Sequence, residues 1–458
     1  MPTSIGFVSV TPSELNFQLQ IGKNLDFNEI HYVTQSSIFE KFVNRSLSTA
    51  ENMHYIEDFI HQCNTEISHH NEVALRDEIH DRVGNKQSFV YSDYRFQGED
   101  FEQRISRVAK TNRFWRHTYE ENDIDYIFSC SGGEYDRRCG FYLAEDFDTE
   151  FYFTYSAFPS KKRPRVIFEP SEMQKIIEGG RSNSLTRSEA RQIINEFRAS
   201  SGSEFERSID NFPINADNVR SFFDAIKGEM LIRSSDTPTN FGWNICESIS
   251  DEIRESLRHY QSQKLYLDEP PNGPFVVLAL HSNQDAQITC REPRYFNNQF
   301  ALVRAISNVL PYPCTLCVKQ HPAEVGKHSP DVIRNLQSDQ ENVDFLNPKI
   351  PPSELFDPAE AIITIRSTIG LEALLHGCSV ITFGETYYTS TGASISADFN
   401  NIEPSLLEAI QSNGPTTNQI EGLVSYLWEN SYPGDTIGNL ETQNISYLTS
   451  AIESLVRG

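Results

Sequence analysis

Along the first 160 residues, short apolar runs alternate with longer segments of helical spacing. Ile5–Val10, Ile30–Thr34, Phe89–Tyr91, Ile124–Cys130 and Glu150–Thr154 read as strands. Glu102–Glu121 between two of them reads as a helix. Such alternation predicts an open parallel sheet. Residues 170–262 change character: TRSEARQIINEFRAS, VRSFFDAIKGEML and NICESISDEIRESLRHY are helical in spacing, with polar stretches between them. DEPPNGP at 268–274 breaks the chain with proline and glycine. The alternation then resumes more cleanly. FVVLALH (275–281), TLCVK (315–319), Val343–Leu346, AIITI (361–365) and SVITF (379–383) are strand-like. Tyr295–Leu310, Asp331–Ser338 and Thr368–His376 are helical, and three more helical segments follow, the last at Thr442–Arg457. The expected organisation is an α/β chain of two Rossmann-like lobes facing across a cleft. The lobes are 1–168 and 268–458, with a helical insertion or connector at 169–267 and the last helix as a candidate to pack back on the N-terminal lobe.

The pattern also says where chemistry can gather. Three polar clusters directly follow three predicted strands: HSNQDAQ (281–287), KQHPAE (319–324) and RSTIGLE (366–372). In a parallel sheet the C-terminal ends of the strands share one edge, and ligands bind outside it. After AIITI, Ser367 or Thr368 can cap a helix, and Gly370 permits close approach to the backbone. Helix N–H groups with two hydroxyls form a phosphate cradle. Arg366 can add charge, and Glu372 can accept hydrogen bonds from a ribose diol or a base. His321 before proline is held extended, where an imidazole can donate a proton to a departing phosphate. Lys319 can add charge if its strand turns it outward. Asn283, Gln284, Asp285 and Gln287 suit sugar hydroxyls or the ordering of their own loop.

Composition narrows the classes of function. At 458 residues the chain exceeds one ordinary core. Its net charge of −25 disfavours non-specific nucleic-acid binding, which requires neutralised phosphates. No uninterrupted apolar stretch is long enough to span a membrane, and the start reads as a first strand, not a signal peptide. The eight scattered cysteines suit reduced thiols in a cytoplasm. Cys314 and Cys317 form a C-x-x-C inside a β-rich segment and are expected to pack in a strand. His54, His61, His69 and His70 are expected on a polar helical surface. Neither set makes a metal site, so no metal is expected.

Taken together, the segments LALHSNQDAQ through VKQHPAE and AEAIITIRSTIGLEALLHGCSVITFGETYY resemble the C-terminal lobe of bacterial capsule and surface-polysaccharide biosynthesis proteins. His321-Pro322, Ser367-Thr368, Gly370, Glu372, Gly377 and Gly384 stand at matching places. Asn283-Gln284-Asp285 and Gln320 depart from the family pattern, as does Cys378-Ser379. The resemblance covers about 120 residues. It implies a GT-B glycosyltransferase that moves a sugar from a nucleotide-activated donor to a glycan or glycolipid, with no cofactor beyond that donor. Relatives use CMP-linked acidic sugars such as Kdo, among others. It further implies His321 as leaving-group acid or phosphate ligand, Ser367 and Thr368 on phosphate, and Glu372 on ribose or base. An inverting enzyme also needs a base from the other lobe. SCSGGEYDRR (129–138) offers Glu134 and Asp136, and SVTPSE (9–14) a second wall for the acceptor. A sugar-nucleotide 2-epimerase, a CDP-polyol phosphotransferase and a silent subunit of a polysaccharide assembly complex stay open as alternatives. The expected location is cytoplasmic, with peripheral contact to such a complex at the inner membrane, and no nucleic-acid partner.

Overall fold

The computed structural model describes residues 3–43, 52–62, 93, 100–158, 160, 162–174, 184–199, 245–291, 298–436 and 439–457. The predicted strand at Phe89–Tyr91 and helix at 219–231, together with His69 and His70, lie outside the described residues.

Each lobe is built on a seven-stranded sheet. The N-terminal sheet contains β1 (Ser4–Ser9), β2 (Glu29–Thr34), β3 (Asn52–Tyr55), β4 (Tyr126–Cys130), β5 (Glu150–Phe158) and β6 (Arg165–Glu169). The C-terminal sheet contains β7 (Tyr266–Leu267), β8 (Phe275–Ala279), β9 (Thr315–Lys319), β10 (Val343–Leu346), β11 (Ala361–Thr364), β12 (Val380–Thr382) and β13 (Ile395–Ser396). A late strand, β14 (Tyr432–Pro433), returns to the N-terminal sheet, whose order is β14-β6-β5-β4-β1-β2-β3. The C-terminal order is β13-β12-β11-β8-β9-β10-β7. The two sheets give two Rossmann-like lobes in a GT-B-like plan.

The C-terminal sheet is parallel at every described pairing. Its strands are buried on both faces, which is why Phe275, Val276, Val277 and Leu278 run together without a polar alternate. The N-terminal sheet departs from the expected all-parallel form. β5 and β6 run antiparallel, as do β6 and β14. The tight connection from Phe158 to Arg165 explains the reversal, because a parallel return requires a crossover of a dozen residues or more.

The helix Arg187–Ala199 puts Ala190, Ile193, Ile194 and Phe197 into one apolar cluster with Leu371, Leu374 and Leu375 of the C-terminal lobe. The same cluster takes in Tyr155, Phe158 and Ile167 of the N-terminal sheet, so the lobes share a core beside the site. The final helix Thr442–Arg457 lays Ile445, Leu448 and Ile452 against Phe7, Phe128 and Phe168 of the N-terminal sheet.

Two readings are corrected here. His54 lies in β3, not on a helical surface, and its ring stacks on His31 with centroids 5.3 Å apart. Asp136 is fully buried in the first turn of the helix Tyr135–Ala144, where it faces the N-terminal lobe and not the cleft. The C-x-x-C pair is embedded as expected: Cys317 is inside β9, and burial pushes the Cys314 and Cys317 thiols up to about 11 and about 12.

Candidate functional site

β8 lies between β9 and β11, so the three polar clusters leave the sheet side by side. The β8 loop holds the other two. Ser282 Oγ, Asn283 N and Asn283 Nδ2 donate to the carboxylate of Glu324, at 2.8, 3.1 and 2.8 Å. On the opposite side the backbone N–H of Arg366 donates to His281 Nε2 at 3.2 Å. Because Nε2 accepts, the neutral ring carries its proton on Nδ1, which faces Asp285 Oδ2 at 3.1 Å. Burial alone would raise the Asp285 carboxyl, but the hydrogen bonds from His281 and the Gln287 N–H hold it down at about 2. Gln299 secures the His281 backbone at both ends, accepting from its N–H at 2.7 Å and donating to its carbonyl at 3.0 Å.

Beyond Arg366 the chain turns into a nine-residue helix, Thr368–His376. Ser367 occupies the N-cap position with extended backbone, but its side chain makes no cap hydrogen bond. Its amide donates instead to Thr364 Oγ1 at 3.1 Å. The Ser367 and Thr368 hydroxyls, both half-buried, have no hydrogen-bond partner among the described residues. Gly370 is required for close packing inside the protein: a Cβ there would stand 2.6 Å from the Tyr388 hydroxyl, which donates to the Ser367 carbonyl. Glu372, in the next turn, is 3 % exposed. Burial first, and the Glu372 carboxylate second, push the Tyr387 hydroxyl up, which places that carboxylate beside Tyr387 on the inner side of the helix.

On the β9 side, His321 is extended ahead of its proline, with φ −66° and ψ 138°. Its Nδ1 accepts from the Ala323 N–H at 3.1 Å, so the neutral ring carries its proton on Nε2. Lys319 points elsewhere. Its ammonium is buried and donates to the carbonyls of Pro348 and Ile350 at 3.1 and 2.7 Å. The expected role for Lys319 in binding is therefore corrected: the cation ties β9 to the 348–350 loop.

The N-terminal lobe meets this edge through the loop after β4. Gly133 makes the approach possible, since a Cβ there would lie 2.6 Å from Cys290 Sγ and 3.3 Å from Ala286 Cβ. Between the loops is a polar cleft of about 640 Å³, lined by Ser131, Glu134, Gln174, Asp285 and Gln287 among others. Glu134 Oε2 is 2.9 Å from Arg137 Nε, and Arg137 also donates to Glu14 at 3.1 and 3.3 Å. Burial disfavours the Arg137 charge, but Glu134 and Glu14 together keep it firmly protonated. Glu14, the carboxylate of the SVTPSE stretch, is thereby buried in an ion pair. Its other contact, from the Val10 N–H at 2.8 Å, closes the turn after β1.

A strap at 171–174 joins the lobes. Arg138 Nε donates to the Glu172 carboxylate at 2.9 Å, and Arg291 Nε donates to the Glu172 carbonyl at 2.5 Å. Arg366 donates through Nη2 to the Met173 carbonyl. Arg366 is thus an interlobe clasp here, 2 % exposed.

Sequence reasoning therefore named the correct loops but not their organisers. Glu324 and His281 carry the network, and both lie inside the quoted clusters. Their signal was position: a carboxylate three residues after His321, and a histidine two residues past the end of a buried strand. Asn283 and Asp285 both lie in the loop after β8, with Asn283 occupied in tying that loop to Glu324 of the β9 loop.

With this geometry in place, comparison identifies the region. Residues 236–404, which contain all three loops, match the family described as capsule polysaccharide biosynthesis protein. No curated protein matches the chain significantly. Among solved structures, the chain is similar to the Thermosulfurimonas dismutans KpsC beta Kdo 2,7 transferase, with 12% identity and a TM-score of 0.35 over 75% of this chain and 89% of that one. It is also similar to the Methanocaldococcus jannaschii UDP-GlcNAc 2-epimerase, with 11% identity and a TM-score of 0.33 over 92% and 98% of the two chains. No residue role assigned here rests on these likenesses.

Proposed function

We propose that this protein is a glycosyltransferase of capsule or surface-polysaccharide synthesis, moving a sugar from a nucleotide-activated donor to a glycan or glycolipid acceptor. The reading is carried by one observation. The three loops of the C-terminal lobe are hydrogen-bonded into a single edge, beside a helix N-terminus whose two hydroxyls have no hydrogen-bond partner among the described residues. Helix N–H groups and the Ser367 and Thr368 hydroxyls suit an anionic phosphate. His321 stands on the neighbouring loop with its proton on Nε2. In the proposed reaction the acceptor hydroxyl attacks the sugar's anomeric carbon, and the bond from that carbon to phosphate oxygen breaks. The acceptor's proton passes to the Glu134 carboxylate, and the His321 Nε2 proton passes to the departing phosphate. Preorganised donors at the leaving oxygen lower the barrier because they require no reorientation as charge develops.

In this proposal the leaving phosphate's charge is met by backbone, hydroxyl and imidazole groups, so turnover is expected to persist in EDTA. The defining experiment is a thermal-shift screen of CMP, CDP, UDP and GDP. A nucleotide that binds only the folded state raises stability by RT ln(1 + [L]/Kd). A response to CMP alone points to an acidic sugar such as Kdo on the donor. No response to any of the four overturns the reading.

A further inference from the structure

We infer that the cleft between the lobes takes an uncharged, hydroxyl-rich sugar as the reacting end of the acceptor and excludes an acidic one. This rests on the glycosyltransferase reading and gives its acceptor a chemical class.

The charges in the cleft come first. Among the described residues lining it, Asp93, Glu134 and Asp285 bear carboxylates, and Arg291 is the cation. Arg291 is already engaged: its Nε donates to the Glu172 carbonyl and its Nη2 to Ser131 Oγ, both at 2.5 Å. A sugar carboxylate would therefore meet like charge with the one cation occupied. Like-charge contact between partners is unfavourable and works as a filter against the wrong one.

Hydrogen-bonding capacity agrees with charge. Gln287 Nε2 donates to Gln174 Oε1 at 2.5 Å across the lobes, and Gln174 Nε2 donates to Ser131 Oγ at 3.0 Å. The remaining Gln287 oxygen is shielded from solvent and has no partner. A buried acceptor left unmet loses the hydrogen bond that water gave it, so a donor brought to it is favoured. The cleft thus offers a ligand one orphan amide oxygen, beside carboxylates that can only accept. A hydroxyl supplies the missing donor; a carboxylate has none to supply. The location fits the reaction as well. Asp285 is joined through His281 to the Arg366 N–H, so the cleft adjoins the start of the Thr368–His376 helix.

The test is saturation-transfer NMR on the full chain with matched pairs: the methyl glycosides of glucose, galactose and N-acetylglucosamine, and the methyl glycosides of glucuronic and galacturonic acid. At equal millimolar concentration at least one neutral glycoside is expected to bind and the uronates not. Gln287→Met, checked as folded by its melting curve, is expected to weaken the neutral ligand about tenfold. The double variant Glu134→Gln/Asp285→Asn is expected to admit the uronates. Uronates binding wild type as well as their neutral partners, neutral binding unchanged in Gln287→Met, or no glycoside binding at all would each overturn the inference. The two readings fail separately. If neutral glycosides bind and no nucleotide does, the cleft's selectivity stands and the transferase reading falls. If a nucleotide binds and the uronates win, only the selectivity falls.

Discussion

The two edges that meet at the cleft are built on opposite electrostatic plans. On the N-terminal side the charges are buried and paired: Arg137 with Glu14 and Glu134, and Arg138 with Glu172. On the C-terminal side, the accepting Nε2 of His281, backbone amides and the Glu324 carboxylate hold three loops together, and two hydroxyls at a helix start have no hydrogen-bond partner among the described residues. A charge already paired has little left to offer a ligand, whereas an open helix N-terminus has a standing affinity for an anion. The comparison teaches that the abundance of charge in SCSGGEYDRR marks structure. The chemistry is to be sought on the less charged side, with Glu134, half-buried at the cleft, as the N-terminal lobe's contribution.

The largest effect should come from breaking the N-terminal plan. Arg138→Ala leaves the buried Glu172 carboxylate without its partner and is expected to destabilise the protein by about 3–5 kcal/mol in denaturant unfolding. The double variant Arg138→Met/Glu172→Leu should recover most of that loss, because replacing both members of a buried pair by apolar groups is often neutral. A double variant no better than the single one would show that the pair does more than balance its own charges.

Next in size is His321→Ala. Loss of a general acid typically costs about 10²–10⁴ in rate. Turnover should fall by at least about a hundredfold while nucleotide affinity stays within about threefold. Turnover like wild type would remove His321 from the chemistry.

The lobes should also separate by pH. Burial, with the nearby charges of His31 and His117, lowers His54 to about 4 from 6.5. The unfolded chain takes up this proton below about 6.5 and the folded chain not until about 4. The contribution to stability is therefore complete above 6.5 and is lost as pH falls towards 4, to the extent of about 2 kcal/mol. Asp285, held at about 2 against an ordinary 3.8, is affected only below 3.8. Unfolding of wild type against His54→Phe at about pH 7.5 and about pH 5 should show the gap between them changing by roughly that amount. A constant gap would contradict the assignment.

The smallest effect is expected from Glu324→Gln. The amide oxygen can still accept from Ser282 Oγ and Asn283 N, but the new NH2 would face the donating Asn283 Nδ2 and lose that bond. A loss of about 1–2 kcal/mol is expected, with a weaker response to nucleotide.

How much of this was legible before the fold was known follows the same physics. The C-terminal strands were readable because parallel strands buried on both faces appear as continuous apolar runs, and TLCVK and Val343–Leu346 coincide with β9 and β10. β3, with its sequence NMHY, is short and half-buried, and carries no such signal. The direction of β6 depends on the length of the preceding turn, which apolar spacing does not report. Lys319 shows the limit within a strand. Where both faces are buried, alternation cannot decide which way a cation leaves, and here it ends on the carbonyls of Pro348 and Ile350. The convergence of the loops was legible, because it follows from the parallel sheet alone. The residues that fasten them, His281 and Glu324, were not, because a hydrogen bond across more than 40 positions leaves no periodic trace.

The central claim is that a nucleotide's phosphate rests on the N-terminus of the Thr368–His376 helix. Calorimetric titration of whichever nucleotide the screen selects, into wild type and into Ser367→Ala/Thr368→Val, tests it most directly. The account predicts saturable binding to wild type and a loss of about thirtyfold or more in the double variant, equivalent to about 2 kcal/mol. Equal affinity for the two proteins would contradict it.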